Sequence, residues 1–244
     1  MLLMSGFEVL IILLFISSIP AIAVFLWFRF ARYPFSLPRF SFSLLAGAVA
    51  VFPALLLQSI FTARSEILYA AGKWGITADI FVRIAFTEEF SRLIMLIILF
   101  SAIRWFNSTR QRDSDLSVNI SADTMASASG LIAGLGFAIL ESAAYGASNP
   151  DNTLLRTFTA ALLHGACGFR AGSAVALFTE RPIQAIFRFL SAVVIHGIYN
   201  FMLIIGGFFP PIAAILIAIS ALATAVLAIH NGMKGEDAYN EPHA

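Results

Sequence analysis

Apolar runs of roughly twenty residues, broken by short clusters of charged residues, glycine and proline, repeat along the chain. A helix of about 20 residues crosses the hydrocarbon core of a bilayer, so the pattern predicts about seven transmembrane helices. The expected spans are Phe7–Phe28, with Pro20 as a kink, then Phe42–Phe61 after a turn holding Pro34, Pro38 and Arg39. Ile80–Ile103 is the third, Asp123–Ala147 the fourth and Leu154–Phe178 the fifth. Ile183–Gly207 is the sixth, and the seventh opens at Pro210-Pro211 and closes near His230. A short interfacial helix is expected around 63–71, a polar segment from Arg104 to Ala122, a turn at Ser148–Asn152, and a polar tail over 231–244.

Composition agrees with that class. Only 12% of the 244 residues are charged and 59% are hydrophobic, whereas soluble domains carry about 25% charge. The expected fold is all-α: one polytopic membrane domain over residues 1–244, its motif-bearing core at about 80–207. A net charge of +1 without a basic cluster points away from nucleic acid. The single cysteine, Cys167, lies in an apolar helix and reads as a packed thiol. No basic stretch precedes the first apolar run, which is therefore expected to be retained as a span.

Lysines and arginines near the span ends give the orientation. With the N-terminus outside, the cytoplasmic side holds Arg29, Arg32, Arg39, Arg104, Arg110, Arg112, Arg181, Arg188 and Lys234. Only Arg64, Lys73 and Arg156 lie outside, so the expected topology is N-out, C-in.

The third span interrupts its apolar pattern with Phe86-Thr87-Glu88-Glu89-Phe90-Ser91-Arg92. Ionised groups at membrane depth are costly, face a protein interior or a watery cavity, and mark function. On a helix Arg92 is four residues from Glu88 and three from Glu89, so either carboxylate can share its face while the other points elsewhere. That allows one carboxylate pinned by Arg92 and one free for chemistry. A structural ion pair is the competing use of the same residues.

Further polar groups follow on later spans. Glu141 ends Phe137-Ala138-Ile139-Leu140-Glu141, and Tyr145 stands one turn beyond it. His164 opens His164-Gly165-Ala166-Cys167-Gly168, and His196 and Asn200 share a face four residues apart. Gly130 and Gly134, and again Gly168 and Gly172, are spaced for close helix packing between the fourth and fifth spans. Counted from the outer span ends, Glu88, Glu89, Glu141, His164, His196 and Asn200 all fall at a depth of roughly 10–17 Å. Helices of alternating direction thus put their polar groups in one layer.

Two chemistries suit that layer, and both are hydrolytic. Glu141, His164 and His196, with Glu88 or Glu89, could bind zinc or another divalent metal. Alternatively, a glutamate and a histidine could activate water directly, with Asn200 supporting an oxyanion. No serine or cysteine is tied to a histidine and an acid, and there is no H-E-x-x-H, G-x-S-x-G or P-loop. A proton- or cation-coupled transporter is the alternative from another class. Against it, the chain shows no internal repeat and the layer lies off-centre.

The order E-E-x-x-[KR], F-A-x-x-E, H-x-x-x-G, H-x-x-x-[DN] on successive helices resembles the PrsW family of intramembrane proteases. That family is related to the CAAX prenyl protease and bacteriocin-processing group. The motifs fall on Glu88, Glu89 and Arg92; Phe137, Ala138 and Glu141; His164 and Gly168; and His196 and Asn200. Glu141 stands where the CAAX group would have histidine, which favours the PrsW branch, and Arg92 stands where PrsW proteins often have lysine. The resemblance implies an endopeptidase of the bacterial inner membrane that cuts a membrane-anchored protein near the extracytoplasmic face, such as an anti-sigma factor; a CAAX-type processing peptidase is its neighbour. Under it, Glu88 or Glu89 activates water and Arg92 orients the pair. Glu141, His164 and His196 serve as ligands or proton carriers, and Asn200 supports a ligand or the oxyanion.

Overall fold

The structure, a computed structural model, describes residues 6–62, 72–110, 121–148, 153–205 and 207–234. Among these, every regular element is helical. In chain order they are α1 (Gly6–Phe30), α2 (Leu37–Thr62), the short α3 (Lys73–Ala78), a π-helical segment (Asp79–Phe86) and α4 (Thr87–Arg110). Then come α5 (Ala122–Ser148), α6 (Thr153–Leu177), α7 (Pro182–Ile205) and α8 (Phe209–Lys234). The fold is all-α, as expected.

Among the described residues, six helices are long and apolar enough to cross a membrane: α1, α2, α5, α6, α7 and α8. The expected third span is the π segment with α4, whose first turns hold Glu88, Glu89 and Arg92, and it is not among those six. At 24 residues α4 is nevertheless about 36 Å long, which exceeds the hydrocarbon thickness. Helix α2 starts at Leu37 rather than Phe42, so Pro38 and Arg39 lie in its first turn instead of a preceding loop. Proline costs little there, because the first turn has no intrahelical acceptor for its N–H. Helix α1 runs unbroken through Pro20, and α4 continues past Arg104 to Arg110. The interfacial helix expected at 63–71, the turn residues 149–152 and the end of the tail lie outside the described residues.

Local chemistry explains several boundaries. Ser121 caps α5, its Oγ accepting from the Thr124 backbone N–H at 3.1 Å. Pro182 opens α7, and Gly207, with φ of 83°, turns the chain before Phe209. Large apolar side chains such as Phe15, Ile22, Phe52, Leu56, Ile186, Phe187, Leu216 and Leu227 stay exposed, which suits lipid-facing helices.

Helix α5 is the centre of the bundle because its glycines let two neighbours touch its backbone. A Cβ at Gly130 would sit 2.1 Å from the Gly168 carbonyl oxygen of α6, and one at Gly134 would sit 1.9 Å from that of His164. On the other side, a Cβ at Gly136 would meet the Leu44 carbonyl of α2 at 2.0 Å, and one on Gly47 of α2 would meet that of Ala133 at 1.7 Å. The paired G-x-x-x-G motifs therefore do the packing expected of them. They also press the backbone carrying His164 directly against α5. Cys167 is buried, its thiol 3.5 Å from the Ala192 carbonyl, in an apolar cluster between α6, α7 and α8.

Candidate active site

The four motif-bearing helices converge on one buried cluster. In α4, Glu89 and Arg92 form an ion pair one turn apart, both fully buried. The second oxygen of Glu89 lies 2.8 Å from Nδ1 of His196 on α7. An ionised carboxylate only accepts, so His196 carries its proton on Nδ1 and turns a bare Nε2 inward. Nε2 stands 3.6 Å from Oε2 of Glu88. The two neighbouring glutamates thus have different work: Glu89 is neutralised by Arg92 and holds His196, while Glu88 turns one oxygen towards His196.

Arg92 also reaches α6. Its Nη2 lies 3.0 Å from Nδ1 of His164, and guanidinium can only donate, so that nitrogen accepts. Nε2 of His164 then bears the proton it gives to Oε2 of Glu141 on α5, 2.8 Å away. The guanidinium lies over the Phe137 ring, 4.7 Å from its centroid, gaining a cation–π contact. The His164 and His196 rings meet edge to face with centroids 5.0 Å apart. Of these groups only Glu141 has appreciable access, its side chain 24% exposed.

The π segment sets the entry to α4. Thr87 Oγ1 donates to the carbonyls of Arg83 (2.5 Å) and Ile84 (3.1 Å), and Arg83 makes a two-pronged ion pair with Asp79. Phe81 lies where a Cβ on Gly197 would be, 2.4 Å from that position. The glycine beside His196 therefore lets the π segment and α7 close up. π-Helical turns are rare and recur at functional sites.

The residues fit a divalent metal. Ligand atoms of Glu88, His164 and His196 all lie within 4.8 Å of one another, and all three residues are buried. Two imidazoles and a carboxylate are a common catalytic zinc set. Ligands on one tetrahedral zinc stand about 3.4 Å apart, since each is about 2.1 Å from the ion. The 3.6 Å between His196 Nε2 and Glu88 Oε2 matches. Oε2 is moreover a buried oxygen with no hydrogen-bond partner among the described residues, a costly state that a cation relieves. For His164 to join such a set, its ring must give up its contact with either Arg92 or Glu141.

Of the residues singled out in the sequence, Glu88, Glu89, Arg92, Glu141, His164 and His196 meet here. Asn200 lies one turn along α7 from His196, half-buried, and makes none of the cluster's hydrogen bonds. The sequence reading missed Gln58 of α2, whose side-chain amide donates to Oε1 of Glu88 at 3.0 Å. A signal for it exists: Gly47, Ala50, Ala54 and Gln58 follow one another at three- and four-residue spacing, so Gln58 ends the small-residue face that packs inward.

No curated protein and no solved structure matches the chain. A family model described as PrsW family intramembrane metalloprotease matches residues 37–228, a stretch that contains every residue of the cluster. The chain therefore belongs to the PrsW family and is a membrane-embedded protease.

Proposed function

We propose that Glu88, His164 and His196 hold one divalent metal, zinc or another, and that the protein hydrolyses a peptide bond of a membrane-anchored protein inside the bilayer. The observation that carries this is the buried Oε2 of Glu88, without a hydrogen-bond partner among the described residues and within reach of two imidazoles. A metal held there supplies a Lewis acid for the scissile carbonyl and lowers the pKa of a water.

The chain's own groups do the rest. Glu89 fixes the ring of His196 through Nδ1, the kind of outer contact that orients a ligand and sets its tautomer. Arg92 keeps Glu89 ionised and buried by pairing with it. Glu141, hydrogen-bonded to His164, stands beside the three proposed ligands rather than among them, and its partial exposure lets water and substrate reach it. It takes the proton from the attacking water and delivers it to the departing amide nitrogen. Asn200, free of the cluster's hydrogen bonds, offers its amide to the carbonyl oxygen as charge develops there. Glu88 and Glu141 thereby exchange the roles that their sequence motifs suggested.

Placement supports one substrate class. Glu141 is seven residues from the end of α5, His164 eleven from the start of α6, and His196 nine from the end of α7. The cluster therefore lies roughly 10–17 Å below one face of the bundle. The bias of arginine and lysine supports an extracytoplasmic assignment for that face. The substrates proposed are single-span proteins cut near that face, anti-sigma factors among them, in the inner membrane of a bacterium. Cleavage of a single-span reporter by the purified protein tests the catalytic assignment. Glu141→Gln is expected to lower kcat by about 10²–10⁴-fold without loss of abundance. A Glu141→Gln variant that cleaves at the wild-type rate removes Glu141 from the role of base.

A further inference from the structure

Helix α2 carries none of the four sequence motifs, yet it reaches the cluster. Its inward face is Gly47, Ala50 and Ala54, residues small enough for the backbone to lie against α5, with Ala50 and Ala54 buried against Phe137. One turn further along the same face the residue is glutamine rather than another small or apolar one. An amide at membrane depth is costly unless it is hydrogen-bonded. Its side-chain nitrogen donates to Oε1 of Glu88 at 3.0 Å, while the other oxygen of that carboxylate, Oε2, faces His196.

The two glutamates of α4 are thus held by chemically different partners. Glu89 receives a guanidinium, which cancels its charge. Glu88 receives a neutral amide, which fixes the carboxylate plane without adding a positive charge. An arginine or lysine at 58 would compete with a cation for Glu88, and an apolar residue would let the carboxylate rotate about its terminal torsion, which is intrinsically soft.

We propose that Gln58 is a positioning residue of the active site: by holding Oε1 of Glu88 it presents Oε2 to the metal beside His164 and His196. This rests on the metal site proposed above. Gln58 touches neither substrate nor water in this account. Its effect passes through Glu88, as hydrogen-bonded outer partners of metal ligands commonly act, with about 10–100-fold of affinity or activity at stake.

Zinc titration of the purified full chain, by competition with a chromogenic chelator, tests this in four proteins: wild type, Gln58→Met, Glu88→Gln, and the double variant. Methionine keeps the length and helix preference of glutamine but has no donor. Gln58→Met is expected to bind zinc about 10–100-fold more weakly than wild type. In the Glu88→Gln background the same substitution should change zinc affinity by less than about twofold, because the group it positions is gone. Gln58→Asn, which keeps the amide but withdraws it by one methylene, should weaken binding as Gln58→Met does and serves if the methionine variant fails to fold. In the cleavage assay either variant should lower kcat while leaving KM unchanged. Wild-type zinc affinity in both variants overturns the inference and leaves the metal site standing. So does an equal loss with and without Glu88, since that is what a packing defect gives. A wild-type protein that binds no zinc overturns the metal site and this inference together.

Discussion

Removing the Arg92 side chain should damage the fold more than removing the charge of Glu88, although both lie in one turn of one helix. Arg92→Ala deletes the partner of Glu89, the donor to His164 and the cation over Phe137. Among the described residues, Glu89 is then a fully buried carboxylate with only the Nδ1 proton of His196 left to it. Breaking a buried pair from one side costs about 3–5 kcal/mol. The cation–π contact adds about 1–2 kcal/mol where it is desolvated, though the two losses share one side chain and will not simply sum. Against a total stability of about 5–15 kcal/mol, that is enough to lower the steady-state level of the protein.

Glu88→Gln differs because Oε2 has no hydrogen-bond partner among the described residues to lose, and the neutral amide can still accept from Gln58 through its oxygen. Its cost should stay within about 1 kcal/mol, while metal binding and activity fall. Arg92→Lys should lie between the two, since one ammonium keeps the charge opposite Glu89 but lacks the planar fork that reaches His164 as well. The assay is reversible unfolding in mixed micelles, monitored by tryptophan fluorescence, with the abundance of each variant in membranes as a second reading. Equal destabilisation by Arg92→Ala and Glu88→Gln would refute the division of labour between the two glutamates, as would an Arg92→Ala protein of wild-type stability.

Two other outcomes follow from the geometry. Gly134→Ala puts a methyl group 1.9 Å from the backbone oxygen of His164, so α5 and α6 must part. Stability should fall by about 1–3 kcal/mol and activity should drop with it, whereas an active, stable Gly134→Ala protein would mean the helix contact does not position His164. A reporter fused after Arg112 should read as cytoplasmic and one placed at 149–152, between α5 and α6, as extracytoplasmic; the reverse pattern would put the cluster in the inner half of the membrane.

Much of this arrangement could be read from the chain because lipid imposes a simple rule. Hydrophobic length sets the spans, and six of the expected seven coincide with helices long and apolar enough to cross. The polar layer is legible too, since span lengths alone put Glu88, Glu141, His164 and His196 of alternating helices at one depth. What sequence spacing could not decide was which glutamate Arg92 takes. Spacings of three and four are equally good on a helix, and the choice of Glu89 depends on where α6 and α7 bring their histidines. The π segment was not legible either: no residue pattern in Asp79–Phe86 marks it, and its contact partner, Gly197 against Phe81, lies more than a hundred residues away. Gln58 escaped because a lone amide in an apolar span has no motif. Only the small-residue stripe beneath it shows that it points inward.

The most direct test of the central claim is the metal content of the purified protein, measured beside its peptidase activity. Elemental analysis should find about one divalent ion per chain, with ion and activity both removed by a strong chelator and restored together by adding zinc or the native metal. A His164→Ala, His196→Ala double variant should hold none. Full cleavage by a rigorously metal-free wild-type protein would contradict the account and leave the glutamates and histidines to activate water unaided.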